Sequence, residues 1–170
     1  MDEVSWKAAV AALNDAPDCR TAAHSYLDLG LTPIPWIVTP EGKKQARMIK
    51  DLHYSSEPMY RTSHEAIESW TATFQVGLVM SVITRWWCID VDNPDSFSLM
   101  QHEIEIAPPV LTQISGRQSG GFHLVYYGCG SQPWPAQGAD PIGGVEVRSN
   151  GFIAAAPSLH MSGKRYQWQA

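Results

Sequence analysis

The segment 86–92, Trp86-Trp87-Cys88-Ile89-Asp90-Val91-Asp92, limits the fold more than any other stretch of the chain. Aromatic and branched residues favour a strand here, and residues two apart on a strand project from the same face about 6.6 Å apart. Asp90 and Asp92 therefore share one face, while Trp87, Ile89 and Val91 occupy the other. The alternation predicts a strand whose apolar half is buried in a core while its charged half stays wet and opens on a cleft. Two later segments repeat the pattern. Phe122, Leu124 and Tyr126 alternate with His123 and Val125, and Val145 and Val147 alternate with Glu146 and Arg148.

Three carboxylates and a histidine delivered by such strands fit a phosphoryl-transfer site. Hard divalent cations such as Mg²⁺ or Mn²⁺ take oxygen ligands, and a pair held about 3.5–4 Å apart can serve both the attacking and the leaving oxygen of an in-line displacement. Between the first two strands runs Ser115-Gly116-Arg117-Gln118-Ser119-Gly120-Gly121, a glycine-rich turn that lets backbone N–H groups approach a polyphosphate while Arg117 adds a bidentate charge. Each motif alone has a plainer meaning. Asp-x-Asp also marks calcium loops, haloacid-type phosphatases and sugar-nucleotide transferases, although Asn93-Pro94-Asp95 breaks the calcium-loop spacing. His123 alone reads as a packed histidine, the glycines as an ordinary hairpin, and Glu146 with Arg148 as a salt-bridged edge. It is their order along one chain that favours a nucleotidyl-transfer site. Arg148 would there neutralise the acids or hold a phosphate. Three carboxylates converging without metal should raise one another's pKa values.

The pattern predicts helices over 6–13 and 20–29, a strand over 32–38 despite its prolines, and a loop with Gly42 and lysines. A helix follows over 64–70 with Ser63 as N-cap, then strands over 76–80 and 86–91 and a helix from 93 to about 104. Strands over 111–115, 122–127, 145–148, 152–156 and 165–168 complete a strand-rich second half, with 128–144 as a Gly- and Pro-rich loop beside the cleft. The expected class is α+β, an N-terminal helical and strand layer packed on a mixed or mostly antiparallel sheet.

At 170 residues, 44% hydrophobic and 17% charged, the chain can bury one good core and is too aromatic for disorder. A net charge of −5 is unusual for a nucleic-acid binder. Two local basic clusters, Lys43, Lys44, Arg47 and Lys50, and then Arg148, His160, Lys164 and Arg165, flank the motifs and could line a groove or simply be solvated. Cys19, Cys88 and Cys129 are odd in number and unpaired in spacing, which fits a reducing cytoplasm and no Cys-type zinc site. His24, His53, His64 and His102 read as structural or surface residues, whereas His160 lies beside the third motif. No apolar run approaches the roughly 20 residues of a membrane helix.

Taken in order, Asp90-Val91-Asp92, Ser115-Gly116-Arg117 leading to His123, and Glu146-Val147-Arg148 with Gly151 and Ala156-Pro157-Ser158 resemble the N-terminal primase-polymerase domain of the archaeo-eukaryotic primase superfamily, found in phage and plasmid replication proteins. The flanking Gly30-Leu31-Thr32-Pro33-Ile34-Pro35, Gly42-Lys43-Lys44 and Ser162-Gly163-Lys164-Arg165-Tyr166-Gln167-Trp168 extend the resemblance over about 22–168. It implies an RRM-like catalytic core and a DNA primase/polymerase that adds nucleotides to a 3′-hydroxyl with release of pyrophosphate. It implies Asp90, Asp92 and Glu146 as ligands of two divalent cations, Mg²⁺ or Mn²⁺, and Ser115, Arg117 and His123 as nucleotide contacts. Lys43, Lys44 and His160 become candidate template or phosphate contacts. The family often has Asp at the position of Glu146, which keeps the charge and adds a methylene. The implied partners are nucleoside triphosphates, single-stranded DNA template and primer, and a C-terminal helical primase segment and helicase, with residues 1–170 as the N-terminal catalytic domain of a longer cytoplasmic replication protein. A non-catalytic nucleotide- or template-binding module and a two-metal nuclease or phosphohydrolase are the alternatives.

Overall fold

In the computed structural model, described over residues 3–47, 62–103, 106–130, 133, 135–139 and 143–169, two antiparallel sheets share one core. The chain opens with α1 (Glu3–Ala11), a 3₁₀ turn (Ala12–Asp15) and α2 (Cys19–Asp28). Asp18 caps α2, its carboxylate accepting from the Thr21 amide, and this hydrogen bond holds the carboxyl below its usual pKa. Next come β1 (Pro33–Val38), β2 (Lys44–Ala46), α3 (His64–Glu68) with its expected Ser63 cap, β3 (Gln75–Met80), β4 (Trp86–Val91) and α4 (Pro94–Glu103). The second half is β5 (Leu111–Ile114), β6 (Phe122–Tyr127), β7 (Gly138–Ala139), β8 (Val145–Arg148), β9 (Gly151–Ala154) and β10 (Gln167–Gln169).

One sheet has the order β2-β1-β3-β9, the other β10-β5-β6-β4-β8-β7. The α+β class with mostly antiparallel strands is as expected, but the single sheet divides in two. The reason is non-local pairing: β9 turns back from β8 to lie against β3, with Gly77 opposite Ala154 and Met80 opposite Gly151. Two short strands, β2 and β7, also occupy stretches read as loops. The prolines of β1 are tolerated because β2 pairs only with Trp36, Ile37 and Val38, so Pro33 and Pro35 lie in the half of β1 that β2 does not ladder.

The six-stranded sheet packs apolar side chains on both faces. Ile89, Val91, Leu124, Tyr126 and Val145 pack under Phe97 of α4. The opposite face contributes Trp86, Cys88, Leu111, Val125 and Trp168 to the main core, which also takes Trp36, Leu78 and Ile153 from the four-stranded sheet and Ala22, Tyr26 and Ile67 from α2 and α3. Asp90 lies on that second face, two residues from fully buried Cys88. Half of β4 was expected to stay wet; instead, because a second sheet covers this face, the Asp90 side chain is only 16% exposed. Tyr26 donates to the Ala156 carbonyl and receives the Trp168 indole N–H, both at 2.6 Å, tying α2 to both sheets. No helix among the described residues is long and apolar enough to cross a membrane.

Candidate active site

Asp90 lies near the centre of the six-stranded sheet. Backbone register sets His123 of β6 opposite it on one side and Glu146 of β8 on the other, with Gln113 of β5 opposite His123 and Trp168 of β10 opposite Gln113. Residues directly opposite one another in neighbouring strands share a face and can touch. A transverse row Trp168, Gln113, His123, Asp90, Glu146 therefore crosses five strands. Asp92 lies two residues beyond Asp90, just past the end of β4.

Asp90, Glu146 and the nearby Asp92 each have a donor beside them. His123 Nε2 is 3.3 Å from Asp90 Oδ1, and Arg148 Nη2 lies 3.4 Å from Asp90 Oδ2 and 2.9 Å from Glu146 Oε2. Arg117 Nε pairs with Asp92 Oδ1 at 2.8 Å, and Gln137 Nε2 donates to Glu146 Oε1 at 3.1 Å. Burial pushes the Asp90 carboxyl up, but the hydrogen bond from His123 and the charges of Arg148 and Lys44 outweigh it and hold the pKa at about 2. The expected mutual raising of carboxylate pKa values is thus overturned at Asp90, because nearby donors and cations outweigh burial.

Lys44 reaches the row from the other sheet. Its Nζ donates to the Tyr166 hydroxyl at 2.8 Å and lies 5.2 Å from the centre of that ring and 5.9 Å from that of Trp36. The residue as a whole is exposed, yet its ammonium is turned against two rings, and this desolvation is the largest influence lowering its pKa. Tyr166 is buried, stacks on His123 with centroids 5.7 Å apart and meets the His160 ring edge-on at 5.8 Å. Burial pushes the Tyr166 hydroxyl pKa far up, so it stays protonated. Burial also lowers the pKa of His160, with Lys44 and Arg117 acting in the same direction.

The glycine-rich turn closes tightly. Ser115 N–H donates to the Gly121 carbonyl and Gly120 N–H to that of Arg117, while the hydroxyl of Ser119 donates to the Asp92 carbonyl at 3.1 Å. A Cβ on Gly121 would stand 2.7 Å from the Val91 carbonyl oxygen and 2.9 Å from Ser115 Oγ, so glycine lets the turn press against the end of β4. Gly116 does the same for the 159–165 hairpin, where a Cβ would be 2.7 Å from the Lys164 carbonyl oxygen. The amides of Gln118, Ser119 and Gly121 make no backbone hydrogen bond among the described residues.

Of the residues singled out in the sequence, Asp90, Asp92, His123, Glu146, Arg117, Arg148, Lys44 and His160 are brought to this one region. Ser115 is buried and its Oγ accepts from the Arg117 amide at 3.4 Å, so it shapes the turn. Lys43 contributes backbone bonds to the turn that starts at Thr39 and is exposed. Burial raises the pKa of the Cys19 thiol, with the charge of Arg165 only partly opposing it, so Arg165 faces Cys19, while Lys164 sits on the 159–165 hairpin. Lys50 and His53 lie outside the described residues. Ser158 is fully buried and its hydroxyl accepts from the Val76 amide and donates to the Val76 carbonyl, both at 2.9 Å, giving the 156–158 motif a structural role on β3.

Sequence reasoning missed Gln113, Gln137 and Tyr166. A signal for two of them existed, since alternation sets Gln113 in line with apolar Leu111 and Tyr166 in line with Trp168. The Gly- and Pro-rich surroundings of Gln137 carried none.

Among the described residues, no group of three or more His, Cys, Asp or Glu side chains is drawn together as a metal site. In chemistry the donor set does fit a hard divalent cation. It consists of three carboxylates from neighbouring positions, each held by a guanidinium, imidazole or amide that a phosphate oxygen could draw away. A separate cavity of about 170 Å³, lined by Asp18, Cys19, Arg20, Trp70 and Phe74 among others, shares no residue with the row. Over residues 23–170, a span that takes in every member of the row, the chain matches the family described as bifunctional DNA primase/polymerase, N-terminal. Comparison with curated proteins finds no match.

Proposed function

Because this chain belongs to the bifunctional DNA primase/polymerase N-terminal family, we propose that the carboxylate row is the centre of template-directed nucleotidyl transfer. The 3′-hydroxyl oxygen of a primer or initiating nucleotide attacks the α-phosphorus of a nucleoside triphosphate. The new O3′–Pα bond forms as the bond from Pα to the bridging oxygen breaks, pyrophosphate leaves with that oxygen's electron pair, and the hydroxyl proton passes to solvent water. The observation that carries this reading is the interleaving of acids and donors: Asp90 between His123 and Glu146, with Arg117 and Arg148 beside them.

Arg117 and Arg148 rest on carboxylates. A triphosphate offers both guanidinium groups denser negative charge and bidentate geometry, so its binding transfers them from acid to phosphate. His123 turns its N–H from Asp90 to a phosphate oxygen, and the open amides of the 117–121 turn take others. Asp90, Asp92 and Glu146, thereby released, would hold two divalent cations, Mg²⁺ or Mn²⁺, which when bound acidify the attacking hydroxyl and offset phosphate charge. Single-stranded template and primer would pass along the side bearing Lys43, Lys44 and His160. The six-stranded sheet is then the RRM-like core of a single catalytic domain spanning 1–170, working with a helical primase segment and a helicase in a longer replication protein.

The test is extension of a labelled primer-template with four dNTPs and Mn²⁺ or Mg²⁺, beside the Asp90→Ala/Asp92→Ala double variant. Extension by the native chain alone is expected, with activity falling at least ~10³-fold in the variant. Extension retained in the variant would sink the assignment, and a shortened primer would indicate a nuclease. One observation favours a second reading, a nucleotide- or template-binding module: each carboxylate already has its counter-charge or donor, and no three acids close on a metal among the described residues. Such a module binds labelled nucleotide but releases no pyrophosphate.

A further inference from the structure

Gln113, beside His123 in the row, is fully buried, and every polar atom of its side chain is engaged. Its Oε1 accepts from the Ala156 amide at 2.9 Å. Its Nε2 donates to the Ala154 carbonyl at 2.8 Å and lies 2.8 Å from His123 Nδ1. Two backbone groups, one able only to donate and the other only to accept, fix which end of the amide is which. The end facing His123 is therefore the NH₂ group.

From this geometry we infer that Gln113 is a positioning residue that fixes the tautomer of His123, placing its proton on Nε2 and presenting an N–H donor to the site. Nδ1 must accept, because a proton there would set donor against donor at 2.8 Å in a place where His123 is 3% exposed and no water can intervene. The proton then resides on Nε2, which points at Asp90 Oδ1 at 3.3 Å. A ring presented in this way can donate to an anionic oxygen. It cannot use Nε2 as a metal ligand or as a base, since that nitrogen has no free lone pair. The two backbone bonds of Gln113 reach the end of β9 and the residues after it, so the four-stranded sheet sets the hydrogen-bonding character of a side chain on the six-stranded one.

The tautomer is a property of the free protein; its consequence for nucleotide binding rests on the proposed function. Long-range ¹H–¹⁵N spectra of the imidazole-labelled chain without metal or nucleotide report it directly. In the native chain the His123 Nε2 resonance is expected at the protonated position and Nδ1 at the unprotonated one, with His123→Asn supplying the assignment. Gln113→Met keeps the volume and removes the donor, so both resonances should move toward intermediate positions, while the KM for dNTP rises roughly tenfold with kcat changed far less. A native spectrum with the proton on Nδ1 overturns the inference, and so does an unchanged tautomer in Gln113→Met. If that variant does not fold, the native spectrum still decides. Shifted resonances with an unchanged KM would leave the tautomer lock standing and overturn the role of His123 as a nucleotide contact.

Discussion

An isolated carboxylate as enclosed as Asp90 would keep its proton, whereas this one gives it up early. Its folded pKa of about 2 lies below the ordinary value of 3.8, so ionised Asp90 stabilises the fold at every pH above about 4. That contribution, on the order of 2 kcal/mol, fades as pH falls from about 4 toward 2. Urea unfolding of the native chain and of Asp90→Asn should therefore differ at pH 6, and the difference should narrow steadily below pH 4 and close only below the folded pKa of about 2. A difference that ignores pH would mean that the charge of Asp90 does not matter to the fold. At this scale the acids and His123 were legible because a strand repeats every two residues, so DxD and the lone polar residue among Phe122, Leu124 and Val125 declare their face. The depressed pKa was not legible. Against burial it depends first on the hydrogen bond from His123 and then on Arg148 and Lys44, which reach Asp90 across strands and sheets that the sequence does not pair.

Among the elements, the turn between β5 and β6 is the one most finely fitted to the site. Gly121→Ala would drive a Cβ to within 2.7 Å of the Val91 backbone oxygen, which cannot yield as a flexible side chain could. A loss of about 1–3 kcal/mol is expected, lowering Tm by several degrees in a chain of this size. Gly138, with nothing close to it among the described residues, serves as the control, and its replacement by Ala should leave Tm nearly unchanged. Equal shifts in the two variants would refute the close approach. The long strands were legible from alternation and the helices from Ser63, Pro94 and Asp18 at their starts. β2 and β7 were not, since three and two residues carry no period, and neither was the division into two sheets, which depends on β9 choosing β3 as its partner.

For the whole molecule, net charge opposes the proposed partner. The chain carries −5, and Arg117 and Arg148 are already paired with acids, so little positive charge is left to meet a phosphate backbone. Binding of single-stranded DNA by this chain should be weak and fall with salt at a slope of about −3 or shallower in a log–log plot. Nanomolar affinity at physiological salt, measured by fluorescence anisotropy, would contradict that. The transverse row also bears on the order of events in time. Asp90, His123 and Glu146 come from three strands that are remote along the chain, so the β5–β6 hairpin, which sets Gln113 opposite His123, does not alone contain a site. Contacts of such sequence separation form late, after the entropy of closing the intervening loops has been overcome. Nucleotide capture should accordingly return in the slowest resolved phase of refolding, and a nascent or nicked chain would be silent until the last of these strands has docked.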